Sequence, residues 1–123
     1  MNSAESCPVL IVEDDEDLRD MMAQMLTLEG FDAATVSNGR EALAYLRSAG
    51  DKPHVILLDL MMPEMDGWEF RRQQQADPEL APVPVIVLSA LDQARSATVD
   101  ATAFLKKPLD FDRLLQLVRL HCR

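Results

Sequence analysis

Residues Val55 to Asp59, VILLD, decide the fold, because four consecutive apolar residues end abruptly in an acid. A run of this length and composition predicts a strand that is buried on both faces. The run Val85 to Leu88, VIVL, has the same character and is followed by Ser89. Two such strands are typical of the centre of a parallel sheet that helices cover on both sides.

Outward from these two runs, short aliphatic segments alternate with longer amphipathic ones along the whole chain. Because parallel neighbours must be joined by a covering helix, this alternation predicts a doubly wound α/β fold with five parallel strands and five helices. The predicted strands are Pro8 to Val12, Asp32 to Val36, Val55 to Leu58, Val85 to Leu88 and Ala103 to Leu105.

The helices are predicted from apolar residues that recur every three or four positions. The second helix is predicted from Gly39 to Ala49, the third, unusually polar, from Trp68 to Ala76, and the last after Asp110, a plausible N-cap. The first helix ends at Gly30, a common C-terminal stop. Its apolar stripe consists of Leu18, Met21, Met22, Met25 and Leu26.

The composition fits one domain covering residues 1–123, with 48% hydrophobic residues and a net charge of −9. This charge opposes direct binding to nucleic acid or anionic membranes. No signal peptide or membrane span is predicted, so we expect a cytoplasmic protein. Cys7 and Cys122 are expected to be unpaired apolar thiols without a redox role, and His54 and His121 lack the spacing of a metal site.

Polar residues follow the strands where the carboxyl ends of a parallel sheet bind ligands. They are Glu13, Asp14 and Asp15 after strand one, Asp59 after strand three, Ser89 after strand four, and Lys107 with Pro108 after strand five. Two carboxylates about 4 Å apart repel by roughly 1 kcal/mol in water and about 4 kcal/mol at an effective dielectric of 20. The cluster therefore predicts a bound cation, for which Mg²⁺ is the best fit, with Asp59 as a nucleophile for phosphoryl transfer.

Each of these residues also has a structural interpretation. The acidic loop could simply cap the first helix, Ser89 could cap another, and Lys107 could be a surface lysine. Asp59 is harder to explain this way, since a central strand gains nothing from a terminal acid. The joint placement of the four groups favours a functional site.

Four segments resemble the receiver domains of bacterial two-component response regulators, of the single-domain, chemotaxis-regulator-like kind. They are VLIVEDDEDLR (Val9–Arg19), ILLDLMMPEMDG (Ile56–Gly67), VIVLSA (Val85–Ala90) and FLKKPL (Phe104–Leu109). The resemblance covers nearly the whole chain. It implies a flavodoxin-like fold with strand order 2-1-3-4-5.

The resemblance also implies roles for individual residues. Asp59 would be the phosphoacceptor, Glu13, Asp14, Asp59 and the Met61 carbonyl would bind Mg²⁺, Ser89 and Phe104 would be the switch pair, and Lys107 would hold the phosphoryl group and precede a cis bond to Pro108. Asp15 would lie outside the site. Pro63 and Gly67 would keep the loop after Asp59 rigid.

Three positions depart from the family pattern. Glu13 replaces a commoner aspartate, Asp100 stands where glycine is frequent, and Gln74 replaces an aliphatic residue and is expected to loosen the third helix. Met61 and Leu91 flank the phosphoryl group in this family. Because both are apolar, we expect a long-lived aspartyl phosphate.

The implied function is a signalling switch that catalyses only its own phosphorylation and dephosphorylation. A histidine kinase or phosphotransfer protein would phosphorylate it, and a target protein would bind the surface of helix four, strand five and helix five. Because the chain ends after the last helix, we expect no output domain, with the alternative that the chain is one domain of a larger hybrid kinase. We expect either a monomer or a weak phosphorylation-dependent dimer. Two alternatives are a phosphorylation-independent interaction domain and a haloacid-dehalogenase-type phosphatase, which needs an acid at the position of Met61.

Overall fold

A computed structural model describes residues 7–48, 50–90 and 100–122. The strands are β1 (Pro8–Val12), β2 (Asp32–Val36), β3 (Val55–Asp59), β4 (Val85–Ser89) and β5 (Ala103–Lys106). The helices are α1 (Glu16–Leu28), α2 (Gly39–Ser48), α3 (Gly67–Ala76) and α4 (Phe111–Leu120). The described residues thus contain four helices. A further helix was predicted between β4 and β5, where residues 91–99 lie outside the described residues. The helix called α4 here is therefore the fifth helix of the prediction.

All five strands are parallel and lie in the order β2-β1-β3-β4-β5. This order confirms the flavodoxin-like fold. β1 and β3 are neighbours, but the chain continues from β1 to β2 on one side of the pair and from β3 to β4 on the other. The carboxyl ends of β1 and β3 therefore flank the position where such sheets bind ligands. No helix in the described ranges is long and apolar enough to cross a membrane.

Alternate residues of each central strand enter two separate cores, as the two-residue period of a strand requires. Leu10, Val12, Ile56 and Leu58 pack with α2 and α3 on one face. Val9, Ile11, Val55 and Leu57 pack with α1 and α4 on the other. The sheet is therefore covered on both sides, and its central strands are fully buried.

Side-chain caps fix where the helices begin. Asp15 accepts a hydrogen bond from Leu18 N at 3.2 Å, Asp66 from Glu69 N at 2.9 Å, and Asp110 from Arg113 N at 3.2 Å. At α2, Asn38 accepts from Glu41 N, and the Glu41 carboxylate accepts in return from Ser37 N. Gly30, with φ of 93°, follows the end of α1 as predicted.

Two packing predictions were wrong. Met21, assigned to the apolar stripe of α1, is 52% exposed, whereas Met22 and Leu26 are buried. Gln74 does not loosen α3: its side chain is buried, and its Nε2 donates to the carbonyl oxygens of Leu80 and Val83, both at 3.0 Å. Because buried carbonyls need donors, Gln74 attaches α3 to the turn that leads into β4.

The cysteine prediction was also wrong. Cys7 and Cys122 are 115 residues apart in the sequence but form a disulfide, with their Cα atoms 5.6 Å apart. Cys7 directly precedes β1, and Cys122 lies two residues beyond the end of α4. The disulfide therefore joins the two ends of the described chain at the amino-terminal edge of the sheet.

Candidate functional site

Three carboxylates meet at the carboxyl ends of β1 and β3. Glu13, Asp14 and Asp59 each offer an oxygen atom, and these atoms lie within 4.8 Å of one another. Asp59 is the last residue of β3 and is 3% exposed, while Glu13 follows β1 and is fully buried. Asp14 is exposed, so the cluster opens to solvent on its side.

Lys107 supplies the positive charge of the site. Its Nζ lies 2.9 Å from Glu13 Oε1 and 3.5 Å from Asp59 Oδ1. Two backbone features position it: its N–H donates to the Ser89 carbonyl at 2.8 Å, and its peptide bond to Pro108 is cis. Lys107 thus connects the ends of β1, β3 and β4.

The electrostatics of the cluster favour protonation of Asp59. Burial raises the pKa of Asp59 to about 8, and the negative charge of Glu13 and a hydrogen bond with Asp14 add to the effect, while Lys107 opposes it. Burial acts to lower the pKa of Lys107, but the hydrogen bond with Glu13 and the charge of Asp59 outweigh burial and leave this pKa raised. One ammonium group therefore does not balance the acids.

The loop after β3 contacts the Asp59 carboxylate through its backbone. Met61 N donates to Asp59 Oδ1 at 3.2 Å, and Gly67 N donates to the Leu60 carbonyl at 2.9 Å. A Cβ atom on Gly67 would lie 2.8 Å from the Cα of Leu60, so only glycine fits there. Pro63 lies in the same loop, whose backbone is thus folded tightly against β3.

The predicted switch residues lie on β4 and β5. Ser89 ends β4 and is 2% exposed, beside Lys106 in the parallel ladder. Phe104, in the middle of β5, is 39% exposed. Leu91 lies outside the described residues.

Two further positions lie around the acidic cluster. Asp15 caps α1, in keeping with its predicted place outside the site. Arg19 was missed by the sequence analysis: its Nη1 donates to the Glu13 carbonyl at 3.1 Å and holds the acidic loop in place. Its position one turn into the first helix could have suggested a backbone contact with the preceding loop, but nothing in the pattern separates it from a surface arginine.

Asp100, the second departure from the family pattern, contacts α3. Arg71 Nε donates to its carbonyl oxygen at 2.6 Å, and Gln75 Nε2 donates to its carboxylate at 3.1 Å. Arg71 also donates to Gln74. The approach to β5 is therefore tied to α3 by side-chain hydrogen bonds.

A family profile described as the response regulator receiver domain matches residues 9–119. Response regulator MprA from Mycolicibacterium vanbaalenii is 36% identical over 115 residues, which are 90% of this chain and 48% of that protein. The chain thus spans about half the length of this relative.

Among solved structures, the receiver domain of a signal transduction histidine kinase from Syntrophus aciditrophicus superposes with a TM-score of 0.87 at 32% identity, covering 95% of this chain and 90% of that one. The phosphorylated cyanobacterial phytochrome response regulator RcpA gives a TM-score of 0.77 at 29% identity, covering 93% of this chain and 89% of that one. With its profile match, its fold and its clustered acids, this chain belongs to the response regulator receiver domain family.

Proposed function

We propose that the protein is a phosphoacceptor signalling switch in which Asp59 receives a phosphoryl group. The observation that carries this proposal is the Asp59 carboxylate, which is buried at the end of a central strand among Glu13, Asp14 and Lys107. A carboxylate buried in that position costs free energy unless an opposite charge or a bound cation compensates it, and the cost is tolerated where the group has a function. The phosphorylated state of the similar regulator RcpA supports the proposal.

The donor in this reaction is a phosphohistidine of a sensor histidine kinase or of a phosphotransfer protein. A carboxylate oxygen of Asp59 attacks phosphorus, the bond from phosphorus to the histidine nitrogen breaks, and the histidine leaves as the neutral imidazole after protonation. Lys107 lies close enough to Asp59 to hold the oxygens of the transferred group. Such transfer depends mainly on positioning and on compensation of charge.

The cluster fits Mg²⁺. Glu13, Asp14 and Asp59 would hold the ion together with the Met61 carbonyl, and all four ligands are oxygen atoms, the donors that Mg²⁺ prefers. When bound, the ion would supply the positive charge that offsets the carboxylates and clamps the phosphoryl oxygens. The longer side chain of Glu13 keeps its carboxylate in the cluster, since it contacts Lys107 at 2.9 Å.

Phosphorylation would change the surface formed by β5, α4 and the residues between β4 and β5. Ser89 would turn toward the new phosphoryl group, and Phe104, which is exposed here, would follow it inward. The changed surface would bind a target protein. We place this activity in the cytoplasm, with the protein as a monomer or weak phosphorylation-dependent dimer that catalyses only its own phosphorylation and dephosphorylation.

The test is phosphorylation by acetyl phosphate with Mg²⁺, measured as the mass of one added phosphoryl group and as a change in Trp68 fluorescence. We expect both signals in the wild type and neither in Asp59→Asn. The matched control is Asp15→Asn, which makes the same change in the same acidic region while keeping a residue that can cap α1.

Three results would contradict the proposal. A wild type that gains no phosphoryl group would favour the phosphorylation-independent interaction domain. An equal loss of phosphorylation in Asp15→Asn would show that the reaction depends on the total charge of the acidic region and not on Asp59 itself. Continuous hydrolysis of phosphate esters would favour a phosphatase.

A further inference from the structure

A second cluster of metal-ligating side chains lies at the opposite edge of the sheet from Asp59. Cys7, His54 and Cys122 each offer one ligand atom, and these atoms lie within 4.8 Å of one another. Cys7 Sγ and His54 Nδ1 are 3.2 Å apart. We propose that these residues form a Zn²⁺ site when the disulfide is open, and that the disulfide is the oxidised, metal-free form of the same site.

The backbone holds the three residues in place. Cys7 and His54 directly precede the neighbouring strands β1 and β3, and His54 N donates to the Pro8 carbonyl at 2.9 Å. Cys122 is fixed at the end of α4, where its N–H donates to the Arg119 carbonyl at 3.2 Å. The ligands therefore come from three elements that pack in one core, and opening the disulfide leaves all three together.

Zinc binding requires the two sulfur atoms to separate once the disulfide is open, while Cys7 and His54 already lie near the required spacing. Zinc bonds of about 2.3 Å to sulfur and 2.0–2.1 Å to nitrogen, at tetrahedral angles, place the ligand atoms about 3.5–3.8 Å apart. The contact between Cys7 and His54 is within a few tenths of an ångström of that range. Two thiolates and one imidazole are ligands that prefer Zn²⁺ over the hard ions that suit the carboxylate cluster.

Two of the three ligands are accessible from solvent, and Cys7 is buried behind them. His54 is exposed, Cys122 is half-buried, and His54 lines an open groove of about 390 Å³ together with His121 and other residues. A metal ion can reach His54 through this groove, and a water molecule can supply the fourth ligand. The site has the entry path that metal exchange needs.

The two forms exclude each other, because sulfur atoms in a disulfide carry no thiolate charge. A dithiol reductant opens the disulfide by exchange, so that the protein gains two thiols and the reductant becomes a disulfide. The two protein thiols then lose their protons as Zn²⁺ binds. The reducing cytoplasm proposed above would keep the protein in the dithiol form.

The test uses the full chain, reduced with a phosphine and desalted without oxygen. Titration with Zn²⁺ in excess Mg²⁺, which occupies the carboxylate cluster, should show one Zn²⁺ ion per chain. Co²⁺ in its place should give thiolate-to-metal charge-transfer absorption, which carboxylates cannot produce, together with the bands of a tetrahedral site. The matched control is the oxidised wild type, which has the same sequence. It should show neither the charge-transfer absorption nor the bands of a tetrahedral site.

His54→Gln is the decisive variant, because His54 is exposed and its replacement leaves the packing of the core intact. We expect it to weaken Zn²⁺ binding by roughly tenfold or more while circular dichroism stays unchanged. The double variant Cys7→Ser, Cys122→Ser should lose the charge-transfer band. Unchanged affinity in His54→Gln, or reduced wild type without the band, would overturn the proposal. Since no phosphoryl group is involved, either result leaves the function of Asp59 untouched.

Discussion

Replacing Asp59 by asparagine should stabilise the protein in the absence of divalent cations. The folded chain must keep this acid buried beside Glu13, and asparagine removes the charge while retaining an oxygen that can accept from Met61 N and Lys107. In the folded protein the pKa of Asp59 is raised from 3.8 to about 8. The folded state therefore binds the Asp59 proton more tightly than the unfolded state.

The sign of the effect follows from this difference. Protonation of Asp59 stabilises the folded state fully below about pH 4, and this stabilisation is lost as the pH rises through about 8. The rise of the Asp59 pKa from 3.8 to about 8 corresponds to roughly 5 kcal/mol as an upper bound. Because the cluster opens to solvent at Asp14, water and relaxation of the site reduce this penalty, and we expect roughly 2–3 kcal/mol at pH 8. For a domain of this size that is about 8–12 °C in melting temperature.

The assay is urea unfolding of wild type and Asp59→Asn in EDTA, at pH 8 and pH 4.5, with the disulfide intact in both proteins. The free energy of unfolding of the variant should exceed that of the wild type clearly at pH 8 and hardly at all at pH 4.5. Added Mg²⁺ should stabilise the wild type more than the variant and so reduce the difference at pH 8. A variant that is no more stable than the wild type at pH 8, or a difference that is the same at both pH values, would refute the reasoning.

Three other substitutions test separate features. Gly67→Ala forces a Cβ against the backbone of Leu60 and should cost about 1–3 kcal/mol in urea unfolding, whereas Gly50→Ala, which meets nothing within 4 Å, should change little. Gln74→Leu leaves two buried carbonyl oxygens without their donor and should cost about 2 kcal/mol, and equal stability would show that the hydrogen bonds contribute nothing net. Met61→Asn adds a polar group that can orient water and should shorten the lifetime of the aspartyl phosphate, followed by loss of the added mass; a lifetime that is unchanged or longer would contradict the prediction.

Most of the fold was predictable because its signals are local. The apolar runs in β3 and β4 and the caps Asp15 and Asp110 each occupy a few consecutive residues. Strand ends were less accurate: Asp59 and Ser89 belong to their strands, although polar residues after an apolar run suggest a loop. The backbone continues the parallel ladder through these residues, since Asp59 pairs with Leu88 and Ser89 with Lys106 whatever the polarity of the side chains.

Contacts between distant residues were harder to predict. The sequence placed Lys107 and Glu13 at one edge, but their 2.9 Å contact depends on how the chain closes over 94 residues. The pairing of Cys7 with Cys122 has no local signal at all, since it follows from the last helix returning beside the first strand. Gln74 was misjudged because a pattern of residue types does not show which carbonyl oxygens are buried nearby.

The disulfide also determines how the domain would respond to mechanical force. A force applied to the two ends would be carried by the disulfide and not by the sheet, because the disulfide closes a loop between cysteines that are 115 positions apart in the sequence. Opening the disulfide would release about 400 Å of extensible chain and would load β1 and α4 directly. The redox state of two cysteines thus decides whether tension on this domain reaches the strands that position Glu13 and Asp59.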